Sequence, residues 1–173
     1  IPPGAKGLLL LPYFSGERTP INDPNARGII AGLSLAHNRS HIFKAILEGV
    51  ALGIRHNIDT FNNIGAEVKR IVAVGGGTQS RHWLEIVSST AGITQIIPEL
   101  TIGASYGDAF LAGIAAGILS PDDLNNWMKN SSEISPDPLS QHVYESIYFD
   151  YLNLYERNKN LLHNMAERAL HNR

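Results

Sequence analysis

Apolar residues recur at intervals of three and four in three stretches of the chain, and this spacing predicts three helices. The first begins at Ser40, a capping residue, and ends before Gly65, while the second covers about 81–91 and the third about 106–119. Short apolar runs closed by proline or glycine predict strands at 7–13, 68–74 and 93–97. Because strands and helices alternate, the predicted fold class is α/β with parallel strands.

The remaining stretches are predicted as loops and one further helical region. Residues 14–36 are rich in Gly, Pro, Asn and Asp, and 120–138 reads as a linker with a short helical stretch near 124–129. A long amphipathic helix, or a broken pair, follows from Leu139. Three strands are fewer than the five or six typical of a sheet. We therefore expect the chain to be the carboxy-terminal part of a larger protein.

The composition narrows the class of protein. Hydrophobic residues make up 43% of the 173 positions and charged residues 17%, which indicates a globular domain rather than a disordered one. A net charge of −2 leaves no basic excess for nucleic acid, and no apolar run has the length of a membrane span. The absence of cysteine excludes disulfides and thiolate metal sites and fits a cytoplasmic location. We expect neither nucleic acid nor a membrane as partner.

A run of three glycines follows the strand at 68–74 and leads into the second helix. Glycine lets a phosphate approach the bare backbone, and the N–H groups and dipole of a helix start attract anions. Side chains just after the glycines could reach a ribose or a base. The alternative is a tight turn that needs glycine for geometry alone. The candidate cofactor-binding residues are Gly75, Gly76, Gly77, Thr78, Ser80 and Arg81.

More specific motifs fit this chain less well. A P-loop needs a lysine after the glycines, and the dinucleotide fingerprint has Ser80 where its third glycine belongs. Residues 103–107 match the G-x-S-x-G nucleophile elbow, but that elbow requires its serine directly after a strand. Pro98 ends the strand seven residues before Ser105, which with Asp108 can instead form a capping box for the third helix.

Two pairs of polar residues in or near the first helix are weaker candidates for a functional site. His37 and His41 are four apart, the spacing of two metal ligands, but no third ligand is evident and a solvated helix start is favoured. Glu48 and Arg55 share one face of the helix. They either make buried polar contacts or line the exposed side, and the sequence leaves both options open.

Four segments taken together resemble the FGGY carbohydrate kinases. The glycine turn resembles that family's nucleotide motif, and the others resemble its central signature, its first-helix motif and its later Gly-Ala-Ala-x-x-Ala segment, with Asp108 replacing an alanine. The segments are 11–20 (LPYFSGERTP) with 23–28 (DPNARG), 45–51 (AILEGVA), 75–83 (GGGTQSRHW) and 107–112 (GDAFLA).

The resemblance implies an incomplete actin-like (ribonuclease H-like) ATPase domain with carboxy-terminal helices. Residues 1–120 would be part of the nucleotide-binding domain, and 121–173 a linker and helical extension. ATP and Mg²⁺ are the implied cofactors, ATP or ADP would bind at the glycine turn, and Arg81 aligns with an adenine-side contact. The whole protein would phosphorylate a sugar or polyol, with a xylulose-like substrate favoured.

The same resemblance implies that the remaining functional residues lie outside this chain. The catalytic base and most sugar contacts belong to an amino-terminal domain, so no catalytic residue or metal ligand is expected in this chain, which alone should be inactive. The apolar faces of the first and last helices would serve that domain or a second subunit in a homodimer. Two alternatives stay open: a non-catalytic actin-like binding module and an NAD-binding Rossmann-type domain.

Overall fold

The computed structural model describes residues 1–100, 103–127 and 131–171, which contain two small sheets and five α-helices. The α/β class with a parallel strand pair is confirmed. No helix in the described ranges is long and apolar enough to cross a membrane. The strands are β1 (Leu9–Leu11), β2 (Ile29–Ala31), β3 (Ile71–Val72), β4 (Gln95–Pro98) and β5 (Ser131–Ile134); the helices are α1 (Arg39–Asn63), α2 (Arg81–Ala91), α3 (Ala104–Ala115), α4 (Leu124–Trp127) and α5 (Pro138–His171).

The first sheet is an antiparallel pair of β1 and β2, with Leu9 opposite Ala31 and Leu11 opposite Ile29. The predicted strand at 7–13 is confirmed in a shorter form. The interpretation of 14–36 as loop throughout is wrong, because it contains β2. The surrounding glycines and prolines predict a loop, and three residues are too few to give a strand pattern of their own. The strand forms because β1 pairs with it.

The second sheet has the strand order β3-β4-β5. Strands β3 and β4 are parallel and joined through α2, as the alternation predicts. Strand β5 runs antiparallel to β4, with Ile134 opposite Gln95, and it was not predicted. Three of its four residues are exposed, so it lacks the apolar signal of a buried strand. The short helix predicted near 124–129 is present over 124–127, and positions 128 and 129 lie outside the described residues.

Helix α2 has the predicted bounds, whereas the starts of α1 and α3 differ from the prediction. The cap of α1 is Asn38 rather than Ser40, because the Asn38 carboxamide oxygen accepts from the backbone N–H of Ser40 at 3.0 Å and of His41 at 3.3 Å. Helix α3 starts after Gly103, which leaves Ser105 inside the first turn, where it does not cap the helix.

The core joins the amino-terminal strands to the last helix. Helix α5 is one continuous helix of 34 residues, not a broken pair. Its buried aromatic face packs on α1 and β1, where Leu52 and Leu11 are fully buried. The close approach of α1 to β1 depends on Gly49, since a Cβ there would lie 2.3 Å from the Leu10 carbonyl oxygen. The tyrosines of that aromatic face are Tyr144, Tyr148, Tyr151 and Tyr155.

Candidate functional site

The glycine turn lies where β3 leads into α2, at the carboxyl end of the parallel strands. Gly75 has φ +83°, a conformation that favours glycine, and residues 76–79 form a single 3₁₀ turn. A Cβ added at Gly75 or Gly76 would meet no atom within 4 Å. The backbone of these two residues therefore faces open space, which is the geometry that a phosphate would need to reach the peptide N–H groups.

The hydroxyls beside the glycines hold the turn in shape. The Thr78 hydroxyl donates to the Gly75 carbonyl at 2.7 Å, and the Ser80 hydroxyl accepts from the Trp83 N–H at 3.2 Å and so caps α2. A Cβ at Gly77 would lie 3.1 Å from the indole nitrogen of Trp83. The structure thus gives Thr78, Ser80 and Gly77 local structural contacts, whatever ligand the turn takes.

Arg81 is the first residue of α2, and its guanidinium lies at the surface. Its Nε donates to the Glu85 carboxylate at 2.9 Å, one helical turn along, and the side chain is 81% exposed. An exposed ion pair of this kind holds its partners weakly. Arg81 is therefore close to the turn and able to exchange Glu85 for another anionic partner.

Two depressions flank the turn. A polar one of about 520 Å³ is lined by Thr78, Gln79 and Glu99 together with Ser131 and Ser132 of β5. The sequence does not predict these serines as site residues, because β5 lacks the apolar pattern of a buried strand. In open α/β sheets, ligands bind outside the carboxyl ends of the strands, and this depression opens there.

The second depression is apolar, about 220 Å³, and lies between the ends of β3 and β4 and helix α3. The rings of Tyr106 and Trp127 stand 4.6 Å apart there, with Phe110 packed edge-on against Trp127. The turn thus has hydroxyl and carboxylate groups on one side and flat apolar surface on the other. A ligand with both charged and aromatic parts suits such a place.

The competing motifs do not gain support from the geometry. Ser105 is exposed in the first turn of α3 rather than on a sharp turn after a strand, so it does not form a nucleophile elbow. His37 bonds Ser34 and the Lys6 carbonyl, and His41 bonds Asn38, so both side chains make local contacts around the start of α1. In the described ranges no three His, Asp or Glu side chains are grouped as a metal site.

Glu48 makes the buried polar contacts that the sequence left open. Its carboxylate accepts from the Gly4 N–H at 2.9 Å and the Tyr144 hydroxyl at 3.0 Å, and lies 3.6 Å from the Lys44 ammonium. Burial raises the pKa of Glu48 although all three contacts favour its charged form. This cluster joins α1, α5 and the first residues of the chain.

Arg55, by contrast, lies between α1 and α5 near the surface. It pairs with Glu145 at 2.8 Å and Asp59 at 3.6 Å, and its guanidinium stacks 4.2 Å above the Tyr148 ring.

Comparison with known proteins decides the family. The FGGY family of carbohydrate kinases, C-terminal domain, matches residues 2–116. The chain belongs to this family. The xylulose kinase of Bacillus subtilis (strain 168) is 32% identical over 163 residues, which cover 93% of this chain and 33% of that protein. The chain therefore spans about a third of the length of the curated relatives that it matches.

Solved structures agree on the fold. The crystal structure of xylulose kinase from Rhodospirillum rubrum superposes with a TM-score of 0.80 at 35% identity, over 94% of this chain and 33% of that one. The Plasmodium falciparum glycerol kinase with ADP has a TM-score of 0.71 at 22% identity, over 86% and 31%, and supports the fold alone. The fold is the actin-like ATPase fold of the FGGY kinases, of which this chain is a part.

Proposed function

We propose that this chain is the ATP-binding part of a carbohydrate kinase, which transfers the γ-phosphate of ATP to a hydroxyl of a sugar or polyol. Membership of the FGGY family supports the reaction class. The observation that carries the nucleotide assignment is the open backbone of Gly75 and Gly76 in the turn that precedes α2, since a side chain at either position would fill the space a phosphate needs.

In this proposal the residues around the turn share the work of binding. Gly75, Gly76 and Gly77 admit the phosphates to the backbone, and the dipole of α2 favours their negative charge. Thr78 and Ser80 hold the turn in its conformation through their hydrogen bonds. The Arg81 guanidinium exchanges its ion pair with Glu85 for a contact with the nucleotide. Mg²⁺, when bound with ATP, would neutralise the phosphate oxygens. We assign it no side-chain ligand within the described ranges.

The rest of the reaction is proposed to lie in sequence that this chain does not span. Phosphoryl transfer depends on positioning across a closed cleft, so we expect the chain alone to be inactive. A xylulose-like acceptor is favoured because several of the relatives are named xylulose kinase. The division into 1–120 and 121–173, the homodimer and the cytoplasmic location remain predictions.

Amide hydrogen exchange tests the proposed site. Adding Mg-ADP should slow the exchange of the N–H groups of Gly76, Gly77 and Thr78, and NAD should not. Protection confined to other segments would contradict the assignment. The non-catalytic actin-like module is distinguished by a second result: it would bind ADP, but the whole protein would show no sugar-dependent ATP turnover.

A further inference from the structure

A cavity of about 410 Å³ lies between α1, α2, β5 and the start of α5, and a buried lysine lines it. Lys44 of α1 has only 6% of its side chain exposed, and it is the most deeply buried of the lysines in the ranges that the structure describes. Lysine is seldom buried, because its ammonium loses hydration there. Of the candidate nucleotide-binding residues only Arg81 lines this cavity, so the cavity is separate from the glycine turn.

The contacts of the Lys44 ammonium provide a route for its proton. Nζ lies 3.6 Å from the Glu48 carboxylate and 3.3 Å from Nε2 of His82. Because an ammonium can only donate, Nε2 is the acceptor, and the His82 side chain is 59% exposed, which connects it to solvent. Burial lowers the pKa of Lys44, although the carboxylates of Glu48 and Glu85 act to raise it. Lys44 therefore carries more of the neutral, nucleophilic amine than an exposed lysine does.

The charges around Lys44 favour one class of electrophile. An aldehyde converts the amine into an imine whose protonated form is still a cation, so the buried Glu48 carboxylate keeps its ion pair. An acyl donor would instead give a neutral amide and leave that carboxylate without its cation. The carboxylates of Glu133 and Asp137 also line the cavity, whereas Lys44 and Arg81 are already paired. An anionic aldehyde is therefore disfavoured and an uncharged one is favoured.

We propose that Lys44 forms a reversible imine with a small, uncharged aldehyde that enters this cavity, whose volume lies in the range of small-molecule sites. Nε2 of His82 takes a proton from the ammonium, and the Nζ lone pair attacks the carbonyl carbon. A proton shift from nitrogen to oxygen gives a carbinolamine. The proton on His82 then passes to the carbinolamine hydroxyl, which leaves as water while the C=N bond forms. One ammonium and one aldehyde thus give one protonated imine and one water, a reaction distinct from the proposed phosphoryl transfer.

Reductive trapping with propionaldehyde and cyanoborohydride tests the proposal, because hydride reduces the imine to a stable secondary amine. Peptide mass spectrometry then gives a labelling rate for each lysine. Lys44 should be labelled at least about threefold faster than Lys69, whose side chain is 79% exposed. In protein unfolded by urea the two rates should be similar, because the cavity is lost. Lys44 labelled no faster than Lys69 in the folded protein, or an equal advantage of Lys44 in urea, would overturn the proposal.

Matched variants separate the site from general effects on the fold. His82→Gln keeps a polar side chain but removes the proton acceptor, and should slow the labelling of Lys44 at least about fivefold while that of Lys69 is unchanged. His142→Gln makes the same change at an exposed position of α5 outside the cavity and should leave both rates unaltered. Lys44→Arg keeps a cation beside Glu48 and should leave α1 unlabelled. Equal slowing by both histidine variants, or no slowing by His82→Gln, would contradict the proposed proton transfer.

Discussion

The Tyr155 hydroxyl donates a 2.7 Å hydrogen bond to the buried carboxylate of Asp23, 132 positions earlier in the chain. His163 bonds the same carboxylate oxygen at 2.6 Å, and the Asn25 N–H donates to the other oxygen at 2.9 Å. The loop that carries the family signature is thus bonded to α5 at two points that lie about two helical turns apart. The last helix and the signature loop belong to one packed unit.

Asp23 should make the free energy of unfolding depend on pH in the acidic range. Burial acts to raise the pKa of Asp23, but the hydrogen bonds from His163, Tyr155 and Asn25 outweigh it and lower the pKa from 3.8 to about 2. Because the folded pKa lies below the unfolded one, the ionised group stabilises the fold above pH 3.8, and this contribution is lost as the pH falls towards 2.

Asp23→Asn should therefore lower the free energy of unfolding at neutral pH by about 1–3 kcal/mol. Urea unfolding at several pH values checks this, because the variant should also lose much of the wild-type decline in acid. Asp150→Asn removes an exposed carboxylate from α5 and serves as the control. Wild type and Asp23→Asn declining in parallel with acid would count against the role of Asp23.

Two glycines four residues apart in α1 should respond oppositely to alanine. A Cβ at Gly49 would lie 2.3 Å from the Leu10 carbonyl oxygen, so Gly49→Ala should force α1 away from β1 and cost about 1–3 kcal/mol. At Gly53 the Cβ meets only the Tyr151 hydroxyl at 3.3 Å, and the gain in helix propensity is about 1 kcal/mol. Thermal unfolding measures both, and equal effects would refute the packing argument.

Gln95 should matter for the attachment of α2 to the second sheet. Its buried amide donates to the Leu84 carbonyl at 2.7 Å and to Ser88 Oγ at 2.8 Å, and Ser88 donates in turn to the Ile134 carbonyl at 2.7 Å. Gln95→Ala removes both of the buried hydrogen bonds that this amide donates and should cost about 1–3 kcal/mol in denaturant unfolding.

Gln79→Ala is the control for Gln95, because Gln79 is exposed and its loss should change stability by no more than about 0.5 kcal/mol. A similar small effect of Gln95→Ala would mean that its buried hydrogen bonds add little.

Arg81 should affect nucleotide binding more than stability. Its exposed bond to Glu85 contributes little, so Arg81→Ala should change the free energy of unfolding by less than about 1 kcal/mol. If the guanidinium contacts the nucleotide, the same variant weakens Mg-ADP binding, whereas Glu85→Gln frees Arg81 and does not weaken it. Fluorescence titration of both variants measures this difference; identical affinities in Arg81→Ala and wild type would remove Arg81 from the site.

Local signals allowed the elements around the turn to be predicted. Ser80 and Gly92 mark the ends of α2 by chemistry that acts within one helical turn, and the structure has both in these roles. The prediction places the cap of α1 two residues too late, because Asn38 and Ser40 are both good capping residues. The choice between them depends on the path of the incoming chain.

Features that depend on distant residues could not be predicted. Strand β5 is polar and exists through pairing with β4, so Ser131 and Ser132 reach the candidate site without any sequence signal. The bond between Asp23 and His163 joins residues 140 positions apart. No periodicity within a single element encodes such a contact.

Calorimetric titration with Mg-ADP, with NAD as the comparison, tests the central claim most directly. The account predicts saturable binding of Mg-ADP, no comparable binding of NAD, and a loss of at least about tenfold in ADP affinity in Gly76→Val. That side chain meets no protein atom within 4 Å of its Cβ, so the fold should be unaffected, and Gly53→Ala should bind ADP like the wild type. Preference for NAD, or ADP binding unchanged by Gly76→Val, would contradict the account.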